Sequence, residues 1–369
     1  MREKMKILFI HNTLTAYRLP FFNELSKLCD LTIMFYNLED NIKIYNDKDR
    51  TKELDSRIKV YKHYNKKTLL RIMEEKFDCI ILPPLDDLKS MIIAKTVIRR
   101  KDTLIALWWG KWVYHKSPVF TIKWAKDLVH TLVLKMLSKY IDLFLSYGSK
   151  SKEYLTNVNI PEKKVFNFIN STEVNQKGSN LKLREKYNIM SDKNIILFMG
   201  RIVERKGVEI LIKAFLKIDY DSMHLLICGD GPNLNFLKEK YGSDEGITFT
   251  GQINKEDISN FYIQSDVFVI PSYLFKNSVE PWGLTVNEAQ QFNLPIIATT
   301  AVGSAYDLIN SKNGIMIEQN NVEELVDALK YIVGGKITKD MVKKNKHENS
   351  PRKMALNCLD AINQFHKGN

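Results

Sequence analysis

Apolar residues gather along this chain into short unbroken runs, at 6–10, 31–36, 58–61, 79–82, 104–109, 143–146 and 165–169, and most of the text between them is charged or helical in its spacing. A strand buried on both faces reads as a continuous apolar run, whereas a helix that covers it carries apolar positions three and four apart. The first run leads through a loop, 11–20, into a helix over 21–28. From Ser171 to Lys193 the text turns polar, which predicts a linker, and then the pattern restarts. Strands are predicted at 195–199, 224–228, 247–249, 267–270, 295–298 and 314–317, with helices at 208–218, 233–241, 255–264, from Leu284 onward, and at 322–333. A last helix over 354–366 follows a polar, basic stretch. The implied class is α/β, with two helix-covered parallel sheets in domains over 1–172 and 190–350.

The chain of 369 residues is long enough for two such domains, each with its own core. It holds no run of 18 apolar residues, and residues 1–7 pass directly into the first strand, so a cytoplasmic protein without a membrane span is expected. Cys29, Cys79, Cys228 and Cys358 are scattered and form no C-x-x-C pair, which argues against a zinc knuckle or a disulfide framework. Charge changes the picture more. Residues 1–170 hold 31 Lys+Arg against 19 Asp+Glu, while residues 171–369 hold 24 of each, so the whole excess of +12 lies in the first half. That half is expected to meet something anionic, whether nucleic acid, a phospholipid surface or an acidic substrate.

In open parallel sheets ligands bind beyond the carboxyl ends of the strands, and the candidate chemistry is written there. In the stretch 278–289, Pro281 and Gly283 keep the chain irregular before a helix opens at Leu284. The amides of Gly283, Leu284 and Thr285 have no intrahelical partners and suit an anion such as a phosphate. Glu280 stands in the loop and Glu288 one turn inside the helix, leaning back toward its mouth. Two carboxylates repel a phosphate but accept hydrogen bonds from hydroxyls, so a ligand with both hydroxyls and phosphates is implied. The loop 200–207 follows a strand, opens on Gly200 as a candidate binding position, and offers Arg201 and Lys206 as counterions for a diphosphate. Gly229 and Gly231 after the next strand allow close approach of a ligand backbone-side, and Gln252 and Ile253 after the third present groups to a flat base.

Taken in order, G-R-x-x-x-x-K-G at 200–207, G-D-G-P at 229–232, F-x-G at 249–251, P-S at 271–272 and E-P-W-G-L-T-x-x-E-A at 280–289 resemble the nucleotide-sugar half of the retaining group 1 (GT4-type) glycosyltransferases. The resemblance implies a GT-B fold, two Rossmann-like domains facing across a cleft, with a nucleotide-sugar donor in the second and the acceptor in the first. It implies that the closing helix, about 352–369, docks back on the first domain. On the matching positions it implies that Arg201 and Lys206 bind the donor diphosphate, that Gly283, Leu284 and Thr285 cap it, that Glu280 holds sugar hydroxyls and Glu288 the ribose. The acceptor is expected to be a saccharide or lipid-linked, in surface polysaccharide or glycolipid assembly.

In the first half Tyr17-Arg18-Leu19-Pro20-Phe21-Phe22 resembles the segment after the first strand in bacterial polysaccharide-assembly members, without the Gly-Gly pair many relatives carry. Relatives place a histidine after the fifth strand near the transferred sugar; Lys111, His115 and His11 are all candidates for that polar residue. No cofactor or metal is expected beyond the donor. Asp47-Lys48-Asp49 and Asp219-Tyr220-Asp221 have a D-x-D spacing but lie in polar connections. The rival readings are a GT-B sugar-nucleotide epimerase and a nucleic-acid-binding protein; no zinc spacing or RNP-like motif supports the latter, so nucleic acid is not expected as a partner. Finally, six lysines face the single acid Asp127 between Lys111 and Lys139, Leu128, Thr131, Leu132 and Lys135 share one helical side with Phe120 and Trp124, and Trp112, Tyr114, Phe120 and Trp124 are aromatics suited to a headgroup boundary. That segment is a candidate for peripheral contact with an anionic inner membrane face.

Overall fold

Side chains of a strand alternate between the faces of its sheet, and the first strand, β1 (Lys6–His11), sends apolar residues both ways. Ile7 and Phe9 enter one buried cluster with the helices Leu19–Leu28 and Pro351–Lys367, while Leu8 and Ile10 enter another with the helix Leu88–Val97. A strand buried on both faces demands helices on both, which is the physical content of the unbroken apolar run. The computed structural model describes residues 4–38, 49–100, 102–112, 122–176, 179–218, 222–276, 278–345 and 348–367.

Contacts divide the chain into two units. The first takes the chain to Lys111, then the stretch ending at Thr172, and the end of the chain from Asn349; the second takes Trp112 and Glu173–Glu348. In the first, β1 is joined by β2 (Asp30–Phe35), β3 (Lys59–Tyr61), β4 (Cys79–Leu82), β5 (Leu104–Trp109), β6 (Leu143–Tyr147) and β7 (Val165–Phe168) in the order β3-β2-β1-β4-β5-β6-β7. Every pairing is parallel. In the second, β8 (Asn194–Met199), β9 (Met223–Cys228), β10 (Ile247–Gly251), β11 (Val267–Ile270), β12 (Ile296–Thr299) and β13 (Gly314–Ile317) take the order β10-β9-β8-β11-β12-β13, again all parallel. Both are doubly wound Rossmann-like sheets whose order reverses beside their first strand, and such a reversal opens a crevice at the carboxyl ends.

The closing helix carries Met354, Ala355, Cys358, Ala361 and Ile362 on one buried stripe against the helix Leu19–Leu28 in the first unit. The small residues let the two helices approach closely. All four cysteines are buried free thiols. Among the described residues no helix is long and apolar enough to cross a membrane.

The stretch read as a linker is more ordered than its polarity suggests. The chain passes to the second unit at Glu173, and Leu183–Lys186 forms a helix on it. The Leu183 amide donates to Gln264 Oε1 at 3.0 Å, the Gln264 amide donates to the Leu181 carbonyl at 2.7 Å, and the Ser179 hydroxyl donates to Asp257 at 2.5 Å. Polar side chains do the holding, so hydrophobic periodicity gives no sign of it.

Ile362 is fully buried between the closing helix and the first sheet. Ile362→Ala is expected to cost about 2–5 kcal/mol of stability through lost burial and the cavity left behind, read as a shifted urea midpoint for the first unit; an unmoved midpoint would mean that the helix does not support this core.

Candidate active site

Three loops at the carboxyl ends of β8, β11 and β12 build the site in the second unit. The loop after β8 turns through a short 3-10 helix, Glu204–Lys206, and Gly207 ends it in the left-handed region at φ 68°. A Cβ on Gly207 would lie 2.0 Å from the Pro271 carbonyl oxygen, so glycine is what allows this turn to press against the end of β11. Tyr273 latches it from the other side: its amide donates to the Arg205 carbonyl at 2.9 Å and its hydroxyl donates to Glu204 at 2.7 Å.

The segment carrying Glu280 lies beside the chain after β12. The Glu280 amide donates to the Ala301 carbonyl and its own carbonyl accepts from Gly303, each at 3.0 Å, in a short parallel bridge with Val302. Gly303 has no room for a side chain, since a Cβ there would lie 2.2 Å from the Pro281 carbonyl oxygen. Trp112, which belongs to this unit, donates its indole N–H to that same Pro281 carbonyl at 3.0 Å. Next comes the helix Leu284–Gln291, with Gly283 at its N-cap in the left-handed region at φ 89°. Trp282 folds over its first turn and donates to Asn287 at 2.8 Å. The first-turn amides have no intrahelical partners, and the buried Thr285 hydroxyl has no hydrogen-bond partner among the described residues.

The charged groups are shared closely. Lys206 Nζ and a guanidinium nitrogen of Arg205 each stand 2.6 Å from the same oxygen, Oε2, of Glu280. Burial pushes the Glu280 carboxyl up, but the Lys206 and Arg205 charges beside it outweigh this and hold it below its ordinary range. Glu288 goes the other way. Burial raises it to about 7, against the lowering effect of the Tyr262 hydroxyl, which donates to it at 2.7 Å, and of the nearby Lys206 charge. Tyr262 is itself buried and stacked on Phe292 with ring centroids 5.4 Å apart, so the bond to Glu288 is held in place by packing.

The other predicted residues fall differently. Arg201 is exposed at the end of β8, and its side chain has no partner among the described residues. Gly229 and Gly231 are required by the protein's own packing: a Cβ on them would lie 1.9 Å from the Gly200 carbonyl oxygen and 2.3 Å from that of Ile202. They let two loops of the protein pack, with the Ile202 amide donating to the Asp230 carbonyl at 2.8 Å and the Gly200 amide to that of Cys228 at 3.0 Å. Gln252 is exposed and Ile253 half-buried past the end of β10.

His11 and Lys111 lie in the first unit. His11 Nδ1 is 2.9 Å from the Thr13 carbonyl, which can only accept, so Nδ1 carries the proton. Burial, reinforced by the Arg18 charge, lowers His11 to about 3 and keeps the ring neutral. Arg18 is buried, hydrogen-bonded to Asn170 at 3.2 Å and set 5.2 Å from the Trp108 ring. The Lys111 carbonyl accepts from the Trp109 indole at 3.0 Å, and the Lys111 charge acts on Asp86. His115 lies outside the described residues, as do Phe120, Asp47 and 219–221, and the side chain of Trp124. Asp49 is taken up locally by Thr51 and Lys62. Among the described residues no group of three or more His, Cys, Asp and Glu is placed to hold a metal.

Sequence reasoning missed Arg205, Tyr262 and Trp282, and it put Trp112 at a headgroup boundary, whereas the side chain is buried on the segment that carries Glu280. Arg205 stands next to Lys206, and a 3-10 turn brings adjacent residues to one carboxylate in a way that helical or strand spacing does not suggest.

Residues 179–349 match the model of the group 1 glycosyl transferases. An uncharacterized glycosyltransferase of Methanocaldococcus jannaschii is 30% identical over 207 residues, covering 52% of this chain and 51% of the relative. A lipopolysaccharide core biosynthesis glycosyltransferase of Rhizobium meliloti is 29% identical over 168 residues, covering 45% and 47%. The chain thus matches about half the length of these curated relatives. An Anabaena protein crystallised in complex with UDP superposes with a TM-score of 0.70 at 14% identity over 99% of each chain, which is a likeness of fold.

The raised Glu288 carboxyl keeps a proton that the unfolded chain releases near pH 4.5, so the folded state loses stability as pH rises from 4.5 to about 7 and no further above it. Glu288→Gln, which preserves the acceptor for Tyr262, removes this loss and is expected to be more stable than the parent at pH 8 by on the order of 2–3 kcal/mol, with little difference at pH 4.5. Urea unfolding at the two pH values checks it; a constant difference would contradict the raised carboxyl.

Proposed function

We propose, from the match of residues 179–349 to the group 1 glycosyl transferases and from the likeness of fold, that this chain moves a sugar from a nucleotide diphosphate donor to a saccharide or lipid-linked acceptor, with retention at the anomeric carbon. The observation that carries this reading is the placing of Glu280, Lys206 and Glu288 beside the open first turn of Leu284–Gln291. A diphosphate takes the amides and Lys206, with exposed Arg201 closing on it; hydroxyls of sugar and ribose take Glu280 and Glu288. As the bond from the anomeric carbon to the diphosphate oxygen breaks, negative charge grows where cations and amides already point, which lowers the barrier without reorganisation. The acceptor oxygen forms the new bond on the face the diphosphate leaves, and its proton passes to a diphosphate oxygen. Protein cations meet the diphosphate charge in this scheme, so no metal is required. The epimerase and nucleic-acid readings gain no support from the site.

For the acceptor side, the basic first unit and the relative from lipopolysaccharide core assembly favour an anionic or lipid-linked acceptor at the inner membrane face. The helix Ile122–Leu137 buries Leu134 but exposes Leu128, Val129, Leu132 and Met136, with Lys135 and Lys139 beside them. Such a face suits the headgroup boundary of an anionic bilayer.

A panel of UDP-, GDP- and ADP-sugars is expected to contain one that raises the melting temperature and is turned over with EDTA present. With that donor, Glu280→Gln lowers kcat by about 10- to 100-fold, the loss of a charge-assisted hydrogen bond. Lys206→Ala weakens the nucleoside diphosphate far more than the nucleoside. Equal losses for both ligands would make Lys206 structural, and activity abolished by EDTA and restored by Mn²⁺ would overturn the metal-free scheme.

The membrane reading predicts cosedimentation with phosphatidylglycerol vesicles at low salt, weakened at high salt because each surface lysine contributes only about 1 kcal/mol and is screened. Leu132→Glu with Met136→Glu should abolish it. Absence of binding at low salt removes the membrane from the proposal.

A further inference from the structure

Glu280 has two cations on one oxygen, and the transfer scheme uses only one of them. We propose that Arg205 is a positioning residue, which holds the Glu280 carboxylate in place when Lys206 turns to the donor diphosphate. The inference rests on the transfer reading above and assigns within it a residue that the site motifs do not single out.

The geometry separates the two cations. Lys206 is the more enclosed, its side chain 11% exposed against 30% for Arg205, and its charge acts on both Glu280 and Glu288. It is therefore the cation that faces both carboxylates, and the one a diphosphate lying between them would draw away. Once it turns, a largely buried carboxylate without another counterion would take up a proton, and a neutral carboxyl accepts hydroxyl hydrogen bonds poorly. Arg205 prevents this. Both ion pairs fall on Oε2, so Oε1 is left to the sugar hydroxyls while the guanidinium keeps its grip on the other oxygen.

Arg205 is also fixed without help from a ligand. Its carbonyl accepts from Tyr273, the Lys206 amide donates to the Val203 carbonyl at 2.9 Å, and Gly207 seats the turn against Pro271. Only its side chain has freedom, and the Glu280 pair takes that up. A guanidinium suits the task better than an ammonium because its planar fork keeps direction when the neighbouring charge leaves.

The test compares Arg205→Met, Arg205→Lys and Lys206→Met by two readouts. In protein labelled with ¹³C at glutamate carboxyls, with the Glu280 signal assigned through Glu280→Gln, Arg205→Met is expected to move the Glu280 titration to higher pH without any ligand present. With the nucleotide sugar from the panel that turns over, Arg205→Met should lower kcat about tenfold at pH 6, as for one lost charge-assisted hydrogen bond, and recover toward the parent at pH 9. Its KM for the donor should stay within about twofold, whereas Lys206→Met raises KM. Arg205→Lys should restore part of kcat at pH 6. An unmoved Glu280 titration, or a pH-independent loss, would overturn the proposal. So would a KM raised as much as in Lys206→Met, which would put Arg205 on the phosphate itself. If no nucleotide sugar in the panel turns over with the parent protein, the transfer reading falls, and the carboxyl titration alone decides whether Arg205 holds Glu280.

Discussion

A carboxylate from which water is largely excluded stays charged only if cations stand close to it, and Glu280 meets that condition with Lys206 and Arg205 on one of its oxygens. The surroundings of the site can be traced from this requirement. The turn Glu204–Lys206 must come within 2.6 Å of a segment some 75 positions later in the chain, and Gly207 makes that possible by lying flat on the Pro271 carbonyl. The Glu280 segment must in turn be anchored, and its bridge with Val302, the missing side chain at Gly303 and the Trp112 indole all serve that end. A side chain at 207 or 303 would strain the backbone first and shift the charges second.

The sheet explains why these loops can meet. In a doubly wound parallel sheet the strands on either side of the order reversal send their following loops apart, and β8 and β11 are those strands in the second unit. The loop after β8 carries the cations and the chain after β11 leads to Glu280, so the paired charges come from the two walls of one crevice. The same logic assigns the glycines after β9 to the scaffold. They press the β9 loop onto Gly200 and Ile202, and thereby fix where the β8 loop leaves the sheet.

The strands were legible because burial on both faces leaves unbroken apolar text, and all thirteen occur within a few residues of where the pattern puts them. The placing of Gly283, Glu280, Lys206 and Glu288 at strand ends and a helix mouth was legible too. The partnership inside it was not. That Lys206 faces Glu280 rather than open solvent, that Arg205 shares it, and that Tyr262 holds Glu288 are relations between residues 26 to 75 positions apart, and no periodicity records them. The helix Leu183–Lys186 was missed for a related reason: side-chain amides and hydroxyls hold it, and polar text reads as linker.

The two glutamates of the site carry the same side chain eight positions apart, yet the fold drives them in opposite directions. Glu280 has two cations in contact and is held charged below its ordinary range; Glu288 has one cation at a distance and a hydroxyl, and burial lifts it to about 7. Environments that push two like groups apart assign them different work. At neutral pH Glu280 is a fixed acceptor, which in the proposed transfer would hold hydroxyls while a bond breaks nearby. Glu288 sits at the balance between acceptor and donor, and a ligand hydroxyl that bonds to its charged form will draw its proton off. On the proposed reading, binding at Glu288 is coupled to proton release and strengthens as pH rises through about 7, whereas the hold on Glu280 persists well below that. Lys206 connects the two, because the charge it lends to one carboxylate is felt by the other. A ligand that takes Lys206 for its phosphates raises both carboxyls at once, and of the two only Glu280 has a second cation to answer the loss.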